Sequence, residues 1–487
     1  MAPLERTTIH SLPTEIIVSV FERVAWPMGG DWDPARVFLL TRICRHWRVL
    51  VVRNPRLWTK IVVRTKKILK CFLHHSKDLP VSIWWPTKWD VSVSVDEALE
   101  VLAPHSSRFS SLELFCSIDE DDNEEPDKKI NLLAFPMPQL KHLTLELHFE
   151  RADLPRVEDY VKSNLLLSTQ LESLTLIDAI LSPDCTPYHN LRSLSLCEQC
   201  VGDSLDMLQA CPFLIHLEFL YVGCFDWTSR VFSQPPRRVS LPALQSFHCF
   251  AGQEETIAFA MAHLDLPARL ALSIFVDGGM TDSALDCLSD DPQYRPAVFS
   301  QVVDVSVVEW HRTRILGKGH ARQNVPLPSV DVTLNIAEGI TRVQEFPHMF
   351  VGSTIATLSA TLWSFEDIGA DDWREILRHL PALADLTLRS RPETKIDAFF
   401  EAIDPSFGSH TNSVLPRLRR LEIIDFRRKE GMVRRCLKER ASAGTRLTQL
   451  IVSQMHGPPR IRFRGWLHVC AFVGCIRLRR VSDTVIE

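Results

Sequence analysis

The feature that most restricts how this chain can fold is a phrase that keeps returning: an apolar residue, two variable ones, an apolar residue, one variable, and a third apolar. It reads Phe109/Leu112/Leu114, Leu140/Leu143/Leu145, Leu171/Leu174/Leu176, Leu191/Leu194/Leu196 and Leu214/Leu217/Phe219, then again Leu383/Leu386/Leu388, Leu418/Leu421/Ile423 and Leu447/Leu450/Val452. We place a decayed last copy at Leu478/Val481/Asp483. First residues lie 31, 31, 20 and 23 apart in the early set and 35, 29 and 31 apart in the late set. Each phrase reads as a strand, and the periods leave room for a helix. Leu205/Leu208/Cys211 before Pro212 and Ile376/Leu377/Leu380 before Pro381 supply helical spacing ended by a proline. A strand-and-helix unit cannot cover its own apolar faces, so neighbours must stack and share one core.

This phrase resembles the leucine-rich repeat. The resemblance implies an α/β fold over residues 105–487: an irregular solenoid with a curved parallel sheet and outer helices. One departure stands out, because the asparagine or cysteine expected three residues after the third apolar position is replaced by His148, Ala179, Gln199, Val222, Arg391, Phe426 and Met455. Without that polar ladder on the buried backbone of the turns, uneven curvature and longer helices are expected. Between Ala251 and His379 only the fragments Val303/Val305/Val307 and Val332/Leu334/Ile336 are visible. Lys60 to Pro104, with Trp84, Trp85 and Trp89, reads as the join between head and body through buried aromatics, and as the source of the first irregular strand. The boundaries we expect are 1–63 for the head, 64–104 for the connecting segment and 105–487 for the repeat body.

The head has a different pattern. Ser11-Leu12-Pro13 with Glu15 marks a helix start, since proline suits the first turn and a carboxylate suits the positive end of the dipole. Ile16, Ile17, Val20, Phe21 and Val24 then form a single apolar stripe at helical spacing, ended by Pro27, Gly29 and Gly30. Asp33-Pro34 opens a second run through Val37, Leu40, Ile43, Cys44, Trp47, Leu50 and Val51, which Asn54-Pro55 breaks. Three short helices in about 50 residues cannot hide two tryptophans and more than a dozen aliphatics. Several hundred Å² of such surface, at about 25 cal/mol per Å², favours a partner.

The run SLPTEIIVSVFERV followed by RICRHWRVLVVRNPRLW closely resembles the F-box, a three-helix motif that docks on the Skp-type adaptor of cullin-based ubiquitin ligases. Leu12-Pro13, Glu15-Ile16, Phe21, Cys44-Arg45, Trp47-Arg48, Pro55 and Leu57-Trp58 fall where the motif has them, and the combination with a repeat body is similar to the fungal-type F-box family. The segment Ala25 to Asp33 is longer than the usual connection. The resemblance implies a non-catalytic substrate-recognition subunit that binds the adaptor and, through it, cullin, and holds a protein for ubiquitin transfer by other subunits. The adaptor-binding residues it implies are Leu12, Pro13, Ile16, Ile17, Val20, Phe21, Leu40, Ile43, Trp47 and Trp58, some of which must form the head's own core. A scaffold that binds the same adaptor without ubiquitin transfer is the other reading.

Composition narrows the remaining classes. Lys plus Arg number 55 against 60 for Asp plus Glu, a net charge of -5 that gives no general case for coating nucleic acid or a membrane. The 45% apolar and 24% charged residues exclude wholesale disorder. Thirteen cysteines, an odd number scattered singly, read as reduced, buried thiols. Met1 to His10 lacks the apolar core of a signal peptide, and no run reaches about 18 apolar residues, so a cytoplasmic and/or nuclear setting is expected. Charge is regional: Arg417 to Arg480 holds 17 Lys or Arg against four acids, leaving +13 there and -18 elsewhere. Arg389, Arg420 and Arg480 are expected on one face, where guanidinium groups suit an acidic or phosphorylated substrate segment. The same region, with Phe463 and Trp466, keeps nucleic-acid binding as a weaker alternative.

No motif places groups for catalysis. Gly317-Lys318-Gly319 lacks the spacing of a P-loop and reads as a charged loop. HExxH and GxSxG are absent, and Cys197 with Cys200 lacks a second pair for zinc. Cys71, His74 and His75 lie in an amphipathic stretch where packed histidines are commoner than ligands, and Asp119 to Glu125 reads as a solvated loop. No enzyme activity, cofactor or metal is expected.

Overall fold

The computed structural model describes residues 12–27, 32–86, 92–118, 128–149, 170–178, 186–197, 201–222, 237–252, 254–276, 288, 295–309, 312–319, 329–335, 346–350, 352–361, 368–407, 414–427, 430–454 and 470–480. Two compact units divide the chain, Met1–Leu214 and Ile215–Glu487. Both are α/β, and each carries a mostly parallel sheet.

In the first unit, helices α1 (Thr14–Ala25), α2 (Pro34–Ile43) and α3 (Arg45–Arg53) lead through a 3₁₀ turn, Pro55–Trp58, into the sheet. Its strands are β1 (Lys60–Val62), β2 (Val81–Trp85), β3 (Phe109–Ile118), β4 (His142–Phe149), β5 (Ser173–Ile177) and β6 (Ser193–Cys197), paired parallel in chain order. The repeated phrase sets this register. Ile61, Ile83, Leu112, Leu143, Leu174 and Leu194 share one row, and Trp85, Leu114, Leu145, Leu176 and Leu196 the next, all at 1% exposure or less. A slip of one residue would turn every one of them to water. Phe109, the first residue of β3, is buried, as are Leu140, Leu171 and Leu191 in the turns before their strands, and the chain stacks there as well: the N–H groups of Lys141, Glu172 and Arg192 donate to Ser110 O, Lys141 O and Glu172 O.

The connecting segment supplies β2 and two helices, α4 (Lys66–His75), capped by Thr65 Oγ1, which accepts from Ile68 N–H at 3.1 Å, and α5 (Val95–Leu102). The connections after β3, β4 and β5, where longer helices are expected, lie largely outside the described residues. Among the described residues of this unit, 3₁₀ turns at Ala103–Arg108, Lys128–Ala134 and Thr186–Asn190 stand in the connections. The helix read from Leu205 and Leu208 is Val201–Gln209, with both leucines buried.

The second unit holds β7 (His216–Val222), β8 (Val239–Ser240), β9 (Ser246–Ala251), β10 (Leu264–Asp265), β11 (Ala271–Val276), β12 (Val302–Glu309), β13 (Arg312–Gly319) and β14 (Ser329–Asn335). After these come β15 (Thr357–Thr361), β16 (Asp385–Lys395), β17 (Arg420–Arg427), β18 (Gln449–Gln454) and β19 (Cys475–Arg480). Strands β8 and β10 form a parallel pair of their own. The others run β7-β9-β11-β14-β13-β12-β15-β16-β17-β18-β19, and only the pairings of β13 are antiparallel.

That reversal explains the blurred stretch. Residues 310–311 and 320–328 are too short for the crossover that parallel neighbours require, so the chain doubles back twice and β14 returns beside β11. Val302 and Val305 are buried while Val303 is only partly so, with a register shift between Val302 and Asp304, which corrects the Val303/Val305 reading. Gly317-Lys318-Gly319 is the end of β13 rather than a charged loop. A Cβ on Gly317 would lie 3.0 Å from both methyl carbons of Val302.

In the late copies Leu358, Leu386, Leu421, Leu450 and Ile476 share a row, and Ala360, Leu388, Ile423, Val452 and Leu478 the next. The last copy is therefore Val473/Ile476/Leu478, not Leu478/Val481/Asp483. Val473 takes the first apolar position at 2% exposure. Gly474 follows because its N–H donates to Leu447 O at 3.0 Å so closely that a Cβ would sit 2.7 Å from Thr448 O. The helix read from Ile376 and Leu377 is Ala370–Arg378.

Helix Glu430–Ser442 buries Arg440 completely, and its guanidinium donates to Val414 O at 2.9 Å and Leu415 O at 3.0 Å, holding a turn in which Leu415 has φ 57. Arg440→Ala would strand those carbonyls beside a cavity and is expected to cost about 2–4 kcal/mol, seen as an earlier urea transition. Arg440→Lys should recover less than half of the loss, because an ammonium lacks the planar fork.

A candidate docking face on the N-terminal helices

Pro13 precedes α1 as its N-cap instead of sitting in the first turn, and Pro13 O accepts from the N–H groups of Ile16 and Ile17 at 3.0 and 3.1 Å. The single apolar stripe expected for α1 proves to be two, since adjacent residues on a helix point about 100° apart. Ile17, Phe21 and Ala25 face the core at 1% exposure or less, whereas Leu12, Ile16, Val20 and Val24 are 40 to 50% exposed. In α2, Asp33 Oδ1 caps Ala35 N–H at 3.0 Å; Pro34, Val37 and Leu40 are buried, but Leu39 and Ile43 stay exposed. In α3, Cys44 Sγ accepts from Trp47 N–H at 3.4 Å, Val51 is buried, and Val49 and Val52 are exposed. Leu57 and Trp58 close the core beneath, with Trp58 Nε1–H donating to Val51 O at 2.9 Å.

The residues picked out from sequence therefore divide. Leu12, Pro13, Ile16, Val20 and Ile43 are on the surface. Ile17, Phe21, Leu40 and Trp58 are core, and Trp47 is half-buried with its ring 4.6 Å from that of Phe21. Val24, Leu39, Val49 and Val52 were missed, although Val24 continues the four-residue spacing from Ile16 and Leu39 precedes Ile43 by one turn. Of the ten exposed large apolar side chains among the described residues, eight lie between Leu12 and Val52. Apolar exposure is thus concentrated on this head.

The long connection between α1 and α2 is fastened at both ends. Lys60 Nζ lies 5.9 Å from the ring centroid of Trp26 and 5.4 Å from that of Trp32, and Trp32 meets Trp84 of β2, which meets Phe115 of β3, each at 6.4 Å. The aromatic join expected from sequence is there, with a cation in it; Trp89 lies outside the described residues. Glu113 beside it has its carboxyl pushed up by burial, against the pull of the Lys60 ammonium.

On α4, the ring of His75 packs 4.6 Å from that of Trp58 and 5.1 Å from that of His74, and burial raises the Cys71 thiol and lowers His75. No group of three His, Cys, Asp or Glu among the described residues is placed to hold a metal. Cys197 is buried. Cys200, Asp119 to Glu125, Phe463 and Trp466 lie outside the described residues. No helix among the described residues is long and apolar enough to cross a membrane.

The three arginines expected to converge occupy different rows. Arg389 pairs with Ile424, four residues beyond Arg420 on β17, and Arg420 Nη2 is held by Glu422 Oε2 at 2.9 Å. With the last copy reset, Arg480 pairs with Gln454 at the end of β19. Ile451 and Ser453 have outward register yet are 1% and 2% exposed, so the face over β18 is not open.

Two substitutions separate the join from the core. Lys60→Ala should lower stability by about 0.5–2 kcal/mol, the range for a partly desolvated cation–π contact, whereas Trp58→Ala should cost about 3–5 kcal/mol. Circular dichroism melts of both variants give the comparison.

Against known proteins, residues 9–64 match the F-box-like family model, the segment whose helices carry this exposed apolar surface. No curated protein matches the chain.

Proposed function

We propose that this chain is the substrate-recognition subunit of a cullin-type, Skp-cullin-F-box ubiquitin ligase. The head docks on a Skp-type adaptor and, through it, cullin, and a leucine-rich-repeat-like body holds the protein to be modified in a cytoplasmic and/or nuclear setting. The observation that carries this reading is the set of eight exposed aliphatics on the segment that matches the F-box-like model. If about 60 Å² of each is covered on docking, roughly 500 Å² leaves water, on the order of 12 kcal/mol gross at 25 cal/mol per Å², from which the entropy of association is subtracted. The mechanism needs no nucleophile on this chain. Holding an acceptor lysine near a charged conjugating enzyme raises its effective concentration, so affinity and geometry suffice.

The test uses the division between surface and core. Ile16→Asp with Val20→Asp changes only exposed positions, and is expected to leave the melting temperature within about 2 °C while reducing adaptor capture tenfold or more. Ile17→Asp puts a charge in the core and should unfold the head. Affinity purification with mass spectrometry, comparing wild type with Leu12→Ala/Pro13→Ala, should show adaptor and cullin lost together while other partners are retained. Adaptor captured without cullin would leave a scaffold in place of a ligase subunit.

A further inference from the structure

On the first sheet, folding takes one carboxylate partly out of water without giving it a donor. Leu112 and Leu114 of β3 are fully buried, so Glu113 between them faces outward, flanked in register by Trp84 of β2 and Thr144 of β4. Phe115, two residues on, shares that face, and its ring meets that of Trp84 at 6.4 Å and 82°. Among the described residues Glu113 has no hydrogen bond and no ion pair. Burial outweighs the pull of the Lys60 ammonium and pushes the carboxyl up. A desolvated carboxylate is costly unless a donor or a cation comes to it.

The cations of this unit that lie nearby are engaged elsewhere. Lys60 is turned to the rings of Trp26 and Trp32, Lys129 is buried and donates to Phe115 O at 2.9 Å, and Lys141 pairs with Glu172 at 2.8 Å. Among the described residues, the outward positions from β2 to β6 hold the carboxylates of Glu113 and Glu146, the imidazole of His142, and no Lys or Arg. Ser82, Ser111, Thr144 and Thr175 on the same face are short, so the floor beside Trp84 and Phe115 lies low. Lys60 already shows how this run of rings receives a cation: its Nζ is 5.4 Å from the centroid of Trp32, whose ring meets that of Trp84.

We propose that Glu113, with Trp84 and Phe115 beside it, is a subsite for an arginine or lysine side chain of a bound protein segment. The proposal rests on the receptor reading and gives its substrate a chemistry, a basic residue on the stretch that crosses β2 to β4. Its sign is opposite to that expected from the C-terminal arginines, which do not converge. A guanidinium or ammonium brings the donors that Glu113 lacks, and its flat face or methylene stem covers ring surface.

Selection of a random linear-peptide library on the immobilised full chain tests it, followed by a double-mutant cycle. The expected consensus contains Arg or Lys. Replacing that residue of a selected peptide by Ala should weaken binding about tenfold, as should Glu113→Gln in the chain, and the two together should lose no more than either alone. Gln keeps the shape of Glu with no charge to desolvate, so Glu113→Gln should hold or raise the melting temperature as binding falls. Should it lower the melting temperature, Thr144→Lys takes its place in the cycle by setting a cation of the chain's own opposite Glu113, and unchanged affinity then rejects the subsite. A consensus without Arg or Lys, no consensus, or losses that simply add would overturn the proposal. Ile16→Asp with Val20→Asp on the same chain reads the head separately: adaptor loss with intact peptide affinity supports both readings. Coupling at Glu113 in a chain that captures no adaptor removes the receptor reading alone, and adaptor capture without coupling removes the subsite alone.

Discussion

Two inward side chains on each parallel strand find cover chiefly in their equivalents on the next strand, and the rest of the structure follows from that dependence. A buried leucine contributes about 1.5–3 kcal/mol over an exposed one, so the row from Ile61 to Leu194 is a large term that exists only if six strands keep one register. Register in turn fixes which residues face outward. Every group available to a ligand on either sheet is therefore placed by the leucines behind it.

The head meets the same requirement with a different period. A helix has no second strand to share its apolar side with, and at 100° per residue Ile16 and Ile17 cannot both face one small core. Ile17, Phe21 and Ala25 take the inside with Leu40, Leu57 and Trp58, and the stripe through Ile16 is left over. The Trp26–Lys60–Trp32 arrangement then matters for more than stability, since it fastens the helices to β1 and β2 and so holds the leftover stripe at a set angle to the first sheet. For the function proposed above, such a set angle would serve proximity, because effective concentration falls when the two ends of a link move independently.

What the sequence made legible were features repeated in one period. The phrase at Leu112 or Leu421 specifies strand, face and register together, and both leucines stand where the spacing puts them. The excursion through β13 was hidden because antiparallel neighbours need no phrase at a fixed interval, only short turns and alternating residues, and Gly317-Lys318-Gly319 has the composition of a loop. The last copy was misplaced because Val473-Gly474-Cys475 starts with valine and carries a glycine that close approach to Thr448 demands. Among the head residues, periodicity showed that the segment was too greasy but not which side of α1 was covered, since that depends on the partners Trp47 and Trp58 supply from elsewhere in the sequence.

Exposure of this kind is costly to keep. An apolar face on a free protein invites association with whatever is at hand, and chains ordinarily replace such residues with polar ones. Leu39 and Ile43, at 58% and 59% exposure, could be lysine or glutamate with no loss to the packing of α2, whose inward residues are Val37 and Leu40. That two of the most exposed aliphatics among the described residues sit one helical turn apart on α2 means that folding of this chain alone does not account for them. A standard interface covers about 800 Å² per partner, of which somewhat over half is apolar. The roughly 500 Å² on offer here is the amount that one side of such an interface would bring.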